Sequence, residues 1–350
     1  MLRPTFAAIR LQFRASLQKT PRCLTSLHPR PPHPPTRYQP PAPRLGAKSS
    51  KAATLLQSVP NSSTNHRLST MAAAPPSPKR ARTSKDDADD KTYHLLYHPT
   101  IPGRGEFIRL IFEATQTPYV EVNQKSKDEV YAVLSTSPEQ PHPPVYALPA
   151  LRVSTKGSSS DDIVISQTTS IAEYLGHELG LAPGGPQSAA NLHARQLALT
   201  ALDLAVEAHD THHPISMMLY YEDQKAESKR RAADFRSSRL PRFLKHLEAV
   251  LAWNAVDADG RRGKGRYLVG DKLSYADLVW WQVIDGLHFA FPNELAVRKP
   301  DYPLLFTKFY PGIKDDEGSV SAYIASDRRL PFGDGMFRHY PELDRESGDA

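Results

Sequence analysis

The chain has 350 residues, enough for about two domains, and its 44 Lys/Arg against 38 Asp/Glu give a net charge of +6. That balance averages two unlike parts: residues 1–85 hold 15 Lys/Arg and no acid, which leaves 29 basic residues against all 38 acids in the remainder, a net of −9. The body therefore lacks the cationic stripe that a nucleic-acid partner requires, no apolar run reaches the ~18 residues of a membrane span, and the only cysteine, Cys23, leaves the body without a disulfide, a thiolate metal site or a cysteine nucleophile.

Residues 1–86 read as a basic, Pro-rich, disordered tail, holding 14 of the 32 prolines and too few apolar residues to offset the entropy of ordering. Phe6, Ile9, Phe13 and Leu17 fall near helical spacing among Arg3, Arg10 and Arg14, the pattern of a mitochondrial transit peptide. A start at Met71 would omit it. The compartment is then mitochondrial from Met1 and cytoplasmic from Met71. "PKRAR" (Pro78 to Arg82) reads as a nuclear signal or as a solvated basic run.

Residues 87–181 alternate strand and helix. "TYHLLYH" is a short apolar strand, and "GEFIRLIFEAT" places Phe107, Leu110, Ile111 and Ala114 on one helix face. "YVEVN" is a second strand and "KSKDEVYAVLST" a second helix. "LPALRVS" and "DIVIS" form two strands joined by a polar loop. "TTSIAEYLGHELG" closes the unit as a helix stopped at Gly180. The order βαβ then ββα suits a four-stranded mixed sheet covered by helices.

"APGGP" (Ala182 to Pro186) is a linker, and residues 187–344 turn all-helical. "SAANLHARQLALTALDLAVEAHDTHH" reads as one long helix. "KAESKRRAADFRSSRLPRFLKHLEAVLAW" reads as another, with Pro241 kinking it or marking a second start. "LSYADLVWWQVIDGLHF" begins with a capping box, Ser274 with Asp277. Shorter helices follow near Leu304 and Val320.

A small α/β unit, a short linker and a helical unit with a Ser-x-x-Asp box together resemble a cytosolic-type glutathione transferase from Tyr93 to Asp344. The tyrosine-dependent branch (mu-, pi- and sigma-like) fits best, and the wording resembles fungal members. The resemblance implies a thioredoxin-like domain followed by an all-helical one. It also implies glutathione as co-substrate, an electrophilic small molecule as second substrate, and a homodimer, with no metal, nucleic acid or membrane.

It further implies that Tyr97, at the end of the first strand, is the catalytic phenol that holds the glutathione sulfur. The family usually has one residue fewer between this tyrosine and the Gly-Arg pair, here Gly103-Arg104, so Thr100 is the alternative hydroxyl. By the same resemblance Arg104, Leu148-Pro149 (a cis-proline step), Gln167-Thr168 and Asp210 bind glutathione, and Tyr220 overhangs the electrophile. Glu207 is an alternative to Asp210. His209, His212 and His213 have helical metal-ligand spacing but no accompanying motif, and are expected near the electrophile pocket or the interface. Lys125 and Lys127 lie near in sequence to the unassigned ligands of the glycine carboxylate.

The implied activity is conjugation of glutathione thiolate to an electrophilic carbon, of the detoxification type. A non-catalytic glutathione or ligand binder on the same fold is the first rival. A glutathione-dependent isomerase is the second.

Overall fold

The computed structural model describes residues 90–157, 162–255 and 265–346. The expectations for the tail, its transit peptide, Cys23 and the basic run 78–82 lie outside the described residues.

Four strands form one sheet in the order β2-β1-β3-β4. They are β1 (Lys91–Leu96), β2 (Tyr119–Glu121), β3 (Ala150–Thr155) and β4 (Ile163–Ser166). β1 runs parallel to β2 and antiparallel to β3, which pairs antiparallel with β4. The parallel pair needs a crossover, and α1 (Glu106–Thr115) supplies it. α2 (Lys127–Ala132), capped by Ser126, is shorter than the sequence suggests. The next serines turn the chain instead: Ser135 and Ser137 each accept a backbone N–H two residues on, in competition with helix. α3 (Thr168–Glu178) follows β4 directly. This is the expected mixed sheet with its βαβ and ββα halves.

The helical part begins with α4 (Ala189–Asp210), capped by Ser188. It stops three residues earlier than the sequence suggests, because Pro214 disfavours helical backbone at the residue before it. α5 (Lys225–Asp234) and α6 (Leu240–Asn254) are joined by a π-helical turn at Phe235–Arg239. Pro241 thus opens a helix after a widened turn, where its missing N–H costs little. The box at the start of α7 (Tyr275–Ala290) is formed as expected. Ser274 N–H and Oγ both donate to Asp277 Oδ2, at 2.8 and 2.6 Å. α8 (Pro292–Arg298), α9 (Tyr310–Asp316) and α10 (Gly318–Ile324) complete the set.

α7 is apolar almost all round and is buried on nearly its whole circumference, Trp280 and Trp281 included. It packs along α4 and reaches α1. Gly176 lets α3 approach the start of α7, since a Cβ there would stand 2.5 Å from the Tyr275 ring. Arg195 on α4 donates to Glu173 on α3 at 2.8 Å, so α3 is held to α4 by charge as well. Among the described residues no helix is long and apolar enough to cross a membrane.

Candidate functional site

The sheet register brings three chain segments to one end. Leu96 pairs with Ala150, and Ala150 pairs with Ser166. The next residues along this row are Tyr97, Pro149 and Gln167. Residues widely separated in sequence thus share one edge, at the foot of α1 and α3.

Tyr97 is buried, and its phenol oxygen accepts the backbone N–H of Arg104 at 2.6 Å. Its ring lies under the turn Gly103–Gly105. A Cβ on Gly103 would strike the phenol oxygen, and one on Gly105 would stand 2.6 Å from the ring. Gly103 has φ +42, so the turn needs glycine for conformation as well as for space. The Arg109 guanidinium lies 5.9 Å from the ring centroid and His98 packs on the ring edge. Burial pushes the phenol pKa up, against the Arg104 amide and the Arg109 charge, so the group keeps its proton. The fallback hydroxyl, Thr100, is exposed at φ +69, an unusual backbone for a β-branched residue.

Arg104 is half-buried, and burial lowers its pKa. Its charge acts on His209 at the end of α4. Gly335, in the C-terminal segment, approaches the Gly103 backbone at 3.8 Å for a Cβ built on Gly335. The Tyr97 turn therefore faces both the α4 end and residues 335–338.

The Leu148-Pro149 bond is cis, as the resemblance implies. Gln167 has φ +72 and leads into α3. Thr168, the first residue of α3, is 2% exposed, and its Oγ1 is buried with no hydrogen-bond partner. The first N–H groups of a helix also lack intrahelical partners. An unpartnered hydroxyl beside them adds one more donor to a helix start that can face an anion.

Asp210 ends α4, half-exposed, with Oδ1 3.5 Å from His209 Nδ1. Glu207, its alternative, is committed within the chain to Arg239 at 2.6 and 2.8 Å. Tyr220 is not on the long helix. It sits after Pro214 at the start of the 3-10 turn Tyr221–Gln224, 51% exposed. Lys125 and Lys127 are exposed on either side of Ser126.

His209 in the last turn of α4 and His212 and His213 just past it cluster, with ring centroids 4.7 to 5.1 Å apart. Burial lowers the pKa of all three, His213 to about 4, and the nearby Arg338 adds to the effect.

The residues that sequence reasoning missed are charged and buried. Glu106 is fully buried on α1, 3.3 Å from Arg109 and 3.4 Å from Arg329, and accepts from Tyr323 at 3.0 Å. Arg109 in turn donates to Glu121 at 2.5 Å. Asn123 donates to both Glu121 and the Tyr97 carbonyl, at 3.2 and 3.3 Å. The i, i+3 charges in "GEFIRL" were visible; that both are buried was not.

Residues 209–327 match the family described as "Glutathione S-transferase, C-terminal domain". The chain is 22% identical over 203 residues to a glutathione S-transferase of Plasmodium yoelii yoelii, covering 58% of this chain and 80% of that one. It is 21% identical over 226 residues to one of Plasmodium falciparum, covering 63% and 93%. A solved sigma-class structure from Fasciola hepatica superposes with a TM-score of 0.51 at 16% identity, covering 70% of this chain and all of that one. The chain thus has the two-domain fold of the glutathione transferases, and its helical part carries the match to that family's C-terminal domain.

Proposed function

We propose that this protein is a glutathione transferase of the tyrosine-dependent branch, active as a homodimer. Its fungal character rests on the sequence wording alone. Glutathione would lie across the sheet edge, with its peptide backbone along Leu148 beside Pro149 like an added strand. Its γ-glutamyl carboxylate would meet Thr168 and the α3 N-terminus after Gln167. Arg104 would add positive charge, Asp210 would face the amine, and Tyr220 would border the electrophile. The observation that supports this reading most is the alignment of Tyr97, Pro149 and Gln167 at one end of the sheet, with the unpaired Thr168 hydroxyl beside them.

The chemistry follows from the sulfur. A free thiol has a pKa of about 8.5, and the thiolate is the nucleophile. The Tyr97 oxygen already accepts from Arg104, so its own proton is available to donate. A hydrogen bond to a charged acceptor contributes roughly 1.5–3 kcal/mol, and one pKa unit is about 1.4 kcal/mol. One O–H···S⁻ bond therefore lowers the thiol pKa by about one to two units. Holding the electrophile against that sulfur lowers the entropic part of the barrier.

The test is conjugation of glutathione to an aryl halide, beside titration of the bound thiol, in the wild type and Tyr97→Phe. Turnover with a lowered thiol pKa, both lost in the variant, supports the reading. A second reading, a non-catalytic glutathione binder, is favoured by the 5% exposure of Tyr97 beneath the longer turn. Binding without a lowered thiol pKa would select it.

A further inference from the structure

His212 is 1% exposed, and its Nε2 lies 3.1 Å from the Met336 carbonyl, which can only accept. Nε2 therefore carries the proton, and Nδ1 presents a lone pair that is buried without a partner. Such an orphan acceptor is costly unless something fills it. Two further imidazoles surround it. One ligand-capable atom from each of His209, His212 and His213 can be chosen so that all lie within 4.8 Å of one another.

We propose that His209, His212 and His213 bind one divalent transition-metal ion of the zinc class. Three neutral imidazoles suit zinc, copper, nickel or cobalt and not calcium or magnesium. The supporting contacts match what metal-bound histidines use. His212 directs its other ring N–H to a backbone carbonyl, and His209 has its Nδ1 beside the Asp210 carboxylate, which leaves Nε2 for the ion. His213 is the weaker ligand. Its Nδ1 accepts from the Gln224 amide at 3.0 Å, and Gln224 is fixed by Ile215 N–H at 2.9 Å on its oxygen. Binding must break that bond, because the ion either takes Nδ1 directly or takes Nε2 and moves the ring proton onto Nδ1.

In a tetrahedral zinc site nitrogens lie about 3.3 Å apart, so the rings must turn inward to hold an ion. His209 and His213, less buried than His212, have the room to turn. The cationic neighbours Arg104 and Arg338 oppose the ion and Asp210 favours it. A filled site would tie the α4 end to Met336 and so brace the C-terminal segment that meets Gly103. The inference does not depend on the transferase reading.

The test is equilibrium dialysis and calorimetry of Zn²⁺ and Co²⁺ with the metal-stripped full chain, together with the Co²⁺ absorption spectrum. The expected result is one ion per chain and a tetrahedral Co²⁺ band. Affinity should fall at least about tenfold in His209→Asn and in His212→Asn, and less in His213→Asn. His209→Asn leaves the Met336 bond intact, so it reads the site even if His212→Asn misfolds. Exposed His246→Asn and tail Cys23→Ser should bind as the wild type does. Absence of binding, or binding unchanged in His209→Asn, overturns the proposal.

Discussion

The backbone N–H of Arg104 donates to the Tyr97 phenol oxygen at 2.6 Å. The turn that carries Arg104 thus positions the phenol and leaves its proton free. In Tyr97→Phe the bound thiol should titrate about one to two units higher, and the rate at neutral pH should fall about 10- to 100-fold. Loss of the Arg104 hydrogen bond should cost about 1 kcal/mol of stability. Thiolate absorbance and denaturant melts measure the two effects separately.

Gly103→Ala tests the same relationship from the other side. The new Cβ would collide with the phenol oxygen at a backbone angle that disfavours alanine. The phenol should move, and activity should fall towards that of Tyr97→Phe. The double variant should be no worse than either single one, since both remove one interaction. Additive losses in the rate would refute the shared cause.

Thr168→Val removes a hydroxyl that has no partner. It should leave stability unchanged or raise it slightly, because an unpaired buried polar group is unfavourable. Glutathione affinity should fall about tenfold, for loss of a hydrogen bond of about 1.5 kcal/mol to a carboxylate. Thr168→Ser should bind almost as well as the wild type. Calorimetric titration decides, and a Thr168→Val that binds normally removes Thr168 from the site.

Asp277 gives a pH signature. Burial pushes its pKa from 3.8 up to about 6, against bonds from Leu268 N–H and from Ser274. Between about pH 4 and 6 the folded chain keeps a proton that the unfolded chain has released. The group's contribution to stability therefore rises as pH falls through that window and is lost as pH rises through about 6. Asp277→Asn should cost about 1–3 kcal/mol at neutral pH, because one buried N–H loses its acceptor. The gap to wild type should widen on acidification to pH 4, by up to about 3 kcal/mol. Urea melts at pH 4, 5, 6 and 7.5 measure it, and a constant gap would contradict the shift.

Glu106, paired with Arg109 on α1 itself, joins α1 to Tyr323 on α10 and to Arg329 just beyond it. Its own burial raises its pKa while the two guanidinium groups pull it down. Glu106→Gln leaves Arg109 paired with Glu121 and Arg329 with Asp285 but weakens the buried charged hydrogen bonds, and should cost about 1.5–3 kcal/mol. Tyr323→Phe removes one neutral donor and should cost about 1–2 kcal/mol. Thermal unfolding should rank them in that order.

Much of this was legible in the residues. β1 follows from a short apolar run, α1 from 3.6-period apolar positions, and the α7 capping box from Ser274 and Asp277 three apart. Tyr97 is marked by an apolar run ending at a Pro/Gly turn, and Leu148-Pro149 by family resemblance. These signals are local, because hydrogen-bonding period and capping are settled within a few residues. Tertiary structure decided the rest. Nothing local marks Glu106 and Arg109 as buried; Tyr323 and Arg329, more than 200 residues away, cover them. The row joining Leu96, Ala150 and Ser166 depends on strand register, which pairs residues far apart in sequence. The spacing of His209, His212 and His213 already sets them on one side, but that His212 is buried with its Nε2 held by the Met336 carbonyl depends on a segment 124 residues away. Local patterns fix where elements form, whereas the burial of a charge or an unpaired nitrogen depends on which distant segment folds against it.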